Sequence, residues 1–394
     1  MRVLIVNKFY YPRGGDCMAS LNLEELLKGK GHEVAFFSMR YSENIHSDFE
    51  EYFVSEVNFS AGIKDKLKAA ERIFGWGDIK KSFAKILNDF KPEIVHLQNI
   101  HSYISPVVAK MAKDFGCRVA WTLHDYKLLC PSYACLRNGK PCELCYTNKY
   151  QVIKNRCMKG SLTASVLAYL EAKKWSRKEL EKYVDVFICP SEFLASKMRQ
   201  GGFSAEKLIV ISNFVANHMK GLSLSREDCY CYIGRLSKEK GVETLLRVAS
   251  ELPYKLKLAG DGPLAEQLKS QYALNDNIEF LGKINSKQVS GLLSTTLFSV
   301  MPSECYDNNP LGVIESLFAG TPVLGANIGG IPELINTENG MLFESGDATD
   351  LKQKIERMFR ASFCHEKIQV SSLLRFSAER YYEELMKVYK IVLN

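Results

Sequence analysis

Short apolar runs alternate with helical patterns along most of this 394-residue chain, and the alternation starts twice, at Arg2 and again near Cys229. Apolar runs of this kind, bounded by glycine-containing turns, suit strands that are buried on both faces of a parallel sheet. The helical segments between them supply the crossovers that parallel strands require. The sequence therefore predicts an α/β protein of two doubly wound domains, with ligands bound at the carboxyl ends of the strands.

The predicted domains span residues 1–215 and 227–376, and a terminal helix occupies 377–394. A chain of this length exceeds what one ordinary hydrophobic core holds. Between the two sets of strands, the stretch 216–227 is polar, contains Gly and Ser, and has no strong helical or strand period. We place the domain boundary in this stretch, and we expect a cleft between the domains.

The net charge of +7 is unevenly distributed, because residues 1–215 hold 32 Lys and Arg against 23 Asp and Glu. A basic surplus suits a partner that carries phosphates, such as a lipid-linked molecule or the anionic face of a membrane. A solvated basic surface explains it equally well. No apolar run reaches the roughly 18 residues of a membrane span, and we find no signal-peptide pattern, so we expect a cytoplasmic protein. Nucleic-acid binding is not expected, because no aromatic-basic recognition module is present.

Two segments combine Lys and Arg with aromatic residues. A helix predicted over 162–183 contains Trp175 and Tyr183, and the segment 64–81 contains Phe74 and Trp76. This combination suits the interface of a membrane. A solvated helix face is the alternative for either segment.

Five cysteines lie close together in an otherwise aperiodic segment: Cys130, Cys135, Cys142, Cys145 and Cys157. In a chain without a secretory signal, metal binding or reduced thiols are favoured over disulfides. The Cys-x-x-Cys spacing of Cys142 and Cys145 is typical of structural zinc sites, and a long aperiodic segment needs such a staple to be ordered. We predict a structural zinc ion held by Cys130, Cys142, Cys145 and Cys157, with unpaired thiols as the alternative.

The most specific motif runs from Ser303 to Leu324, where a loop is predicted to enter a helix. Backbone N–H groups at the start of that helix, over 308–312, and the helix dipole suit a phosphate group. Asp307 precedes the helix, and Glu315 lies in its first turns, where its carboxylate could accept two ribose hydroxyls. As an alternative, Asp307 caps the helix and Glu315 is an exposed helix residue.

This motif includes Ala319–Val323 and continues into Gly329–Leu334 and Asn339–Leu342. Together these segments resemble the retaining glycosyltransferases of family 4, which belong to the large two-domain class called GT-B. The hallmark of that family is a pair of acidic residues separated by seven others, matched here by Asp307 and Glu315. The first is usually Glu, and Asp307 is one methylene shorter, which bears on the choice of sugar more than on activity.

The resemblance covers nearly the whole chain and implies two Rossmann-like domains that face each other across a cleft, with helix 377–394 packed back on the first. It implies a hexosyltransferase that moves a sugar from a UDP-, GDP- or ADP-type donor to a hydroxyl of a glycan or lipid-linked glycan, with retention at the anomeric carbon. The family-level expectation is a role in surface polysaccharide or lipopolysaccharide synthesis. No cofactor is implied for the chemistry.

The resemblance also assigns roles to particular residues. Arg235 and Lys240, in the turn 234–241, would hold the donor diphosphate, and fixed cations suit the charge that develops on a leaving diphosphate. His124, at the end of a predicted strand, would lie near the donor sugar and act in catalysis with Asp307, Arg235 and Lys240. The remaining donor-binding residues are Gly14 and Gly15, which would admit close backbone approach, and Gly260, Gly262, Gly282, Lys283, Asn308, Asn309, Pro310, Leu311 and Glu315.

Two other functions are open at this point. A related two-domain epimerase or hydrolase of nucleotide sugars would use the donor without an acceptor. A non-catalytic nucleotide-sugar-binding partner is the other alternative, since Asp307 departs from the family pattern.

Overall fold

The computed structural model describes residues 1–57, 70–215 and 225–394. Within these ranges the chain divides into two compact units. The first comprises 1–135, 142–212 and 382–394, and the second comprises 136–141 and 213–381. The predicted boundary stretch lies mostly outside the described residues, which stop at Val215 and resume at Ser225. So does part of the basic segment predicted over 64–81, since the description resumes at residue 70.

The strands up to residue 215 follow the buried apolar runs of the sequence. In chain order they are β1 (Arg2–Val6), β2 (Glu33–Phe37), β3 (Met39–Arg40), β4 (Val54–Ser55), β5 (Ile94–Leu97), β6 (Arg118–Thr122), β7 (Leu136–Arg137), β8 (Lys140–Pro141), β9 (Val186–Cys189) and β10 (Leu208–Val210). A parallel sheet of order β10-β9-β6-β5-β1-β2 forms the centre of the first unit, and β3–β4 and β7–β8 are separate short pairs. Most side chains of the central strands are shielded from solvent, as expected for a sheet covered on both faces.

The strand order of this sheet changes direction at β1, which has β2 on one side and β5 on the other. In an open parallel sheet, such a change leaves a crevice at the carboxyl ends of two neighbouring strands, which here are β1 and β5. Asn7 and Lys8 follow β1 directly, and Gln98 and Asn99 follow β5. The fold therefore gathers polar side chains at this edge.

The helices up to residue 215 are α1 (Gly15–Gly29), α2 (Ile79–Phe90), α3 (Val107–Phe115), α4 (Gln151–Lys154), α5 (Leu162–Lys174), α6 (Arg177–Tyr183) and α7 (Glu192–Gln200). The prediction of a single helix over 162–183 is wrong, because the chain leaves the helical conformation between α5 and α6. Trp175 buries its indole there and donates from Nε1 to Ile73 O at 2.9 Å. Ser176 then has an extended backbone. Trp175 is thus a core residue and not an interfacial aromatic.

The second unit repeats the architecture. Its strands are β11 (Glu227–Ile233), β12 (Lys255–Ala259), β13 (Ile278–Gly282), β14 (Thr296–Met301), β15 (Val323–Ala326) and β16 (Gly340–Phe343), in the parallel order β13-β12-β11-β14-β15-β16. Its helices are α8 (Val242–Ala249), α9 (Ala265–Gln271), α10 (Ser286–Thr295), α11 (Leu311–Phe318), α12 (Ala348–Arg360) and α13 (His365–Phe376). Counted in chain order, the strands run 3-2-1-4-5-6, the order typical of dinucleotide-binding domains. The predicted pair of Rossmann-like domains is confirmed.

The last helix, α14 (Ala378–Leu393), enters the first unit from Tyr382 onward. Its Tyr389 hydroxyl lies 2.6 Å from Nδ1 of His96, whose Nε2 lies 2.7 Å from Thr122 Oγ1. Burial lowers the pKa of His96 to about 3, so this imidazole is neutral. These bonds make the end of α14 part of the first unit's core. No helix in the described part of the chain combines the length and apolarity needed to cross a bilayer.

Candidate functional site

The strand order of the second unit changes direction between β11 and β14, so the loops that leave these two strands are neighbours. The loop after β11 covers 234–241, and the loop after β14 covers 302–310. Such a switch point is where open α/β sheets bind their ligands. The predicted residues Arg235, Lys240 and Asp307 all lie on these loops.

Gly241 allows the two loops to touch. Its φ of +67° is left-handed, and a Cβ at this position would lie 1.9 Å from Pro302 O. A main-chain hydrogen bond also joins the loops, because Glu304 N donates to Glu239 O at 2.9 Å. Any larger residue at position 241 would separate the loops and the side chains that they carry.

An ion pair links the loops at this edge. Lys240 Nζ lies 2.5 Å from Asp307 Oδ1, and Ser303 Oγ donates to Oδ2 of the same carboxylate. Burial by itself would lower the pKa of Lys240, but the Asp307 carboxylate holds it above its usual value, so the ammonium stays charged. The structure therefore brings two predicted catalytic residues into direct contact.

The other predicted residues of this edge divide into two groups. Arg235 and Lys283 are exposed, so their cationic ends are accessible. Gly260 and Gly282 join neighbouring loops, because Gly260 N donates to Gly282 O at 2.8 Å. A Cβ at Gly260 would also lie 1.8 Å from the oxygen of Gly234, so only glycine fits there. A Cβ at the predicted Gly262 would likewise meet a loop carbonyl at 2.4 Å. Donor contacts of these glycines stay predictions.

Helix α11 begins directly after the loop 302–310 and presents its N-terminus at this edge. The N–H groups of Leu311 and Gly312 have no acceptor within the described ranges, as expected in the first turn of a helix. Asn309 is already engaged, because its side-chain and main-chain oxygens accept from Asn213 at 2.9 Å. Asn308 and Pro310 are half-buried beside it.

Glu315 lies on α11 and is half-buried. Its carboxylate has no hydrogen bond or ion pair with any residue that the structure describes, and burial raises its pKa to about 7. The alternative of an exposed Glu315 is therefore wrong. So is a capping Asp307, because Pro310 is the N-cap of α11 and no side chain caps the helix. Glu315 has free acceptor positions in a place where hydroxyl groups could fill them.

The first unit has a polar cluster of its own at the carboxyl ends of its strands. His124 Nε2 lies 2.6 Å from Gln98 Oε1, and Asn99 Nδ2 donates to Asp16 Oδ2 at 2.8 Å. Burial lowers the pKa of His124, so its ring is neutral near pH 7, and donation from Nε2 leaves Nδ1 as an acceptor. Burial opposes ionisation of Asp16, but nearby Lys8 and the hydrogen bond from Asn99 hold its pKa below the usual value.

The sequence analysis singled out His124 in this cluster but missed Lys8, Asp16, Gln98 and Asn99. The signal was available, since three of the four directly follow the buried strands β1 and β5. The predicted Gly14 and Gly15 stand at the start of α1. A Cβ at Gly14 would meet Asp16 Oδ1 at 3.5 Å, which is ordinary contact, so protein packing does not require this glycine.

Three thiols of the cysteine segment contact one another in the structure. The thiols of Cys135 and Cys145 donate to the sulfur of Cys130 and lower the pKa of Cys130. Cys142 and Cys157 are half-buried, and no disulfide forms. Over 1–57, 70–215 and 225–394, no group of three Cys, His, Asp or Glu side chains is arranged to hold a metal ion. Zinc binding by Cys130, Cys142, Cys145 and Cys157 stays a prediction, which metal analysis of the purified protein tests.

Comparison with known families matches the two halves of the chain separately. Residues 20–217, half of the chain, match Glycosyltransferase Family 4, and residues 216–390 match Glycosyl transferases group 1. The chain belongs to glycosyltransferase family 4. The predicted family is thereby confirmed, and the protein is a glycosyltransferase.

Two relatives illustrate the range of similarity. The glycosyltransferase is 28% identical over 351 residues to an uncharacterized 42.6 kDa protein in the cps region of Klebsiella pneumoniae, a match that covers 85% of this chain and 87% of the relative. It is 31% identical over 186 residues to the O-antigen biosynthesis glycosyltransferase WbnH of Escherichia coli, covering 46% of this chain and 53% of WbnH.

Solved structures share the fold of this glycosyltransferase. Sucrose-phosphate synthase of Thermosynechococcus elongatus matches with a TM-score of 0.74 at 19% identity, covering 99% of this chain and 98% of that one. Anabaena HepE in complex with UDP-glucose matches with a TM-score of 0.69 at 17% identity, covering 99% of both chains. These matches confirm the GT-B fold.

Proposed function

We propose that this glycosyltransferase transfers a hexosyl group from a nucleotide sugar to a hydroxyl of a glycan or lipid-linked glycan, with retention at the anomeric carbon. The observation that carries the proposal is the half-buried Glu315 carboxylate, which has no partner among the described residues. A half-buried carboxylate without a protein partner is incompletely solvated, and two adjacent hydroxyl donors would complete its hydrogen bonds. The ribose of a nucleotide supplies such a pair.

The surroundings of Glu315 suit the rest of a nucleotide. The free N–H groups of Leu311 and Gly312 stand at the start of the same helix, where the dipole favours an anion. Lys240 adds a charged ammonium from the neighbouring loop, and Arg235 an exposed guanidinium. The carboxylate suits the two hydroxyls of a ribose, and the neighbouring amides and cations suit the phosphates. Together these groups are complementary to a nucleoside diphosphate.

The same groups would act during transfer. The bond between the anomeric carbon and the diphosphate oxygen breaks, a bond from the acceptor oxygen to that carbon forms, and the acceptor proton is released as the diphosphate departs. Negative charge grows on the diphosphate, and Lys240 and Arg235 would stabilise it through fixed positive charge. Asp307 would orient Lys240 and contact a sugar hydroxyl, and His124 would contact a sugar or acceptor hydroxyl through Nδ1.

The comparisons support the choice of pathway and donor. One relative is named for O-antigen biosynthesis, another comes from a cps region, and a protein of the same fold was solved with UDP-glucose. We therefore propose a UDP-type donor, with GDP- and ADP-sugars next, and a role in surface polysaccharide or lipopolysaccharide synthesis. A lipid-linked acceptor would place the enzyme in the cytoplasm at the inner face of the membrane.

Calorimetric titration of the full chain with UDP-, GDP- and ADP-sugars tests the nucleotide site. We expect saturable binding of at least one of them, with at least tenfold weaker binding by Glu315→Gln. Glu338→Gln is the matched control, because Glu338 is an exposed carboxylate of the same unit. No saturable binding, or equal binding by Glu315→Gln and wild type, would contradict the proposed site.

Product analysis then separates the possible reactions. We expect donor consumption to require an acceptor glycan, and NMR of the product to show the anomeric configuration of the donor. Free sugar without acceptor would indicate a hydrolase, and an isomerised donor would indicate an epimerase. Binding without turnover on any acceptor would indicate a non-catalytic partner.

A further inference from the structure

Helix α5 (Leu162–Lys174) is apolar on the side that faces solvent. Its inward side buries Ser165, Ala168 and Glu171. On the opposite side, Leu162, Val166 and Leu170 follow one another at four-residue intervals and are 48%, 37% and 43% exposed. Residues spaced in this way form one stripe along a helix. A helix at the surface of a globular domain normally turns a polar face outward, so this stripe needs a partner.

The segment of the chain that carries the stripe is strongly basic, between Glu143 and Glu179. Residues 144–178 contain eight Lys and Arg and a single acidic residue, Glu171. That carboxylate points inward, where it lies 2.9 Å from Lys127 Nζ and accepts a hydrogen bond from Ser102 N. The exposed basic residues of this segment are Lys154, Arg156, Lys159, Lys173 and Lys178. A partner for the stripe must therefore be anionic at its margin.

Exposed aromatic residues lie beside the helix. Tyr150 is 52% exposed and packs edge-on against Tyr169 of α5, with ring centroids 6.1 Å apart. Trp76 is 56% exposed, and Lys174 Nζ lies 5.6 Å from the centroid of its ring. Tyr and Trp are enriched where an apolar phase meets water, because their rings are apolar and their polar atoms are not.

We propose that the stripe Leu162–Val166–Leu170, with its basic and aromatic surroundings, docks the protein on an anionic lipid bilayer. The stripe is about 12 Å long at 1.5 Å per residue, which suits a helix lying in the plane of the interface. Aliphatic side chains would enter the acyl region while Lys and Arg contact anionic headgroups. A protein partner would need a matching acidic rim, whereas an anionic bilayer presents negative charge everywhere.

This docking surface rests on the proposed function only in that a lipid-linked acceptor gives a reason for membrane contact. The sequence analysis expected Trp175 and Tyr183 as interfacial aromatics. In the structure Trp175 is buried, and the exposed aromatic residues beside the stripe are Tyr150 and Trp76. The docking residues belong to the first unit and the nucleotide site to the second, so the two proposals can fail independently.

Vesicle flotation with the purified full chain tests the surface. We expect binding to phosphatidylcholine vesicles that contain phosphatidylglycerol, little binding to pure phosphatidylcholine, and weaker binding at high salt, because surface charge is screened. The triple variant Leu162→Ser, Val166→Ser, Leu170→Ser should reduce the partition coefficient at least tenfold. Its melting temperature and nucleotide affinity, compared with wild type, show that it is folded.

The chain offers a matched control on α13, where Leu373 and Leu374 are also exposed, at 42% and 75%. The double variant Leu373→Ser, Leu374→Ser should float with anionic vesicles as wild type does. Failure of the wild type to bind anionic vesicles, or equal binding by the triple variant, would overturn the proposal. Loss of self-association in the triple variant with unchanged flotation would also overturn it, in favour of a protein interface.

Discussion

The pKa of Glu315 gives the sharpest test of the nucleotide site. The ionised carboxylate of Glu315 offers an acceptor oxygen to each of two ribose hydroxyls, whereas the protonated carboxyl keeps one good acceptor, its carbonyl oxygen. Burial raises the pKa of Glu315 to about 7 in the free protein. At about pH 8 roughly nine-tenths of the molecules carry the ionised form, and at about pH 6 roughly one-tenth do. Because the apparent dissociation constant scales inversely with the competent fraction, binding should weaken roughly tenfold between these values.

The assay is titration calorimetry or fluorescence with a nucleotide sugar across this pH range. A nucleotide sugar is preferable to a free nucleoside diphosphate, because its phosphates are both diesters and lack the ionisation near pH 6 of a terminal phosphate. Glu315→Gln should bind weakly and with a flat pH dependence, while Glu338→Gln should follow wild type. A wild-type affinity that does not change between about pH 6 and about pH 8 would refute the reasoning.

The same carboxylate has an effect on stability with a defined sign. Its pKa in the folded protein, about 7, exceeds the ordinary 4.5, so protonation favours folding. Ionisation of Glu315 therefore lowers the free energy of unfolding. This loss is absent below about pH 4.5 and reaches its full size, on the order of 1–3 kcal/mol, above about pH 7. Glu315→Gln should therefore be more stable than wild type at about pH 8 and equal to it at about pH 4 by thermal unfolding.

Three further substitutions test the site and the core. Gly241→Ala should lower the free energy of unfolding by about 2–4 kcal/mol, because the new Cβ would lie 1.9 Å from Pro302 O at a left-handed φ. Its control is Gly291→Ala, at a position with open space in α10, which should leave the melting temperature unchanged or raise it. Lys240→Ala should reduce turnover about a hundred- to thousandfold in a donor-consumption assay, and Lys238→Ala, at an exposed neighbour, should not. Tyr389→Phe should cost about 1–3 kcal/mol in denaturant unfolding, because it leaves a buried imidazole without its 2.6 Å partner; an unchanged midpoint would contradict this.

Much of the fold could be read from local patterns. The alternating apolar runs form the parallel strands of both sheets, and helix α11 begins inside the motif Ser303–Leu324, where the sequence predicts that a loop enters a helix. The prediction of one helix over 162–183 failed because Trp175 gains more from burial and a bond to Ile73 O than from continuing the helix. Helix α13 was not predicted, since its apolar residues face both inward and outward and give no single period.

The chemistry of individual site residues was less predictable. The motif around Asp307 indicated a phosphate site, but not that Lys240 would lie 2.5 Å away. The sequence also did not indicate that both oxygens of Asn309 accept from Asn213, and donor binding by Asn309 stays a prediction. Asp16 and Asn99 attracted no attention in the sequence because each is an ordinary loop residue until their strands are placed side by side.

The sequence by itself determined the two α/β domains, the loop-to-helix motif and the acidic pair, because strand burial, helix period and turn chemistry depend on neighbours along the chain. Only the tertiary structure decided which loops share an edge, how far Glu315 is shielded from water, and that Leu162, Val166 and Leu170 face outward. These properties depend on strand order and on contacts between residues far apart in sequence. Desolvation and electrostatic pairing act through space, and no local pattern encodes them.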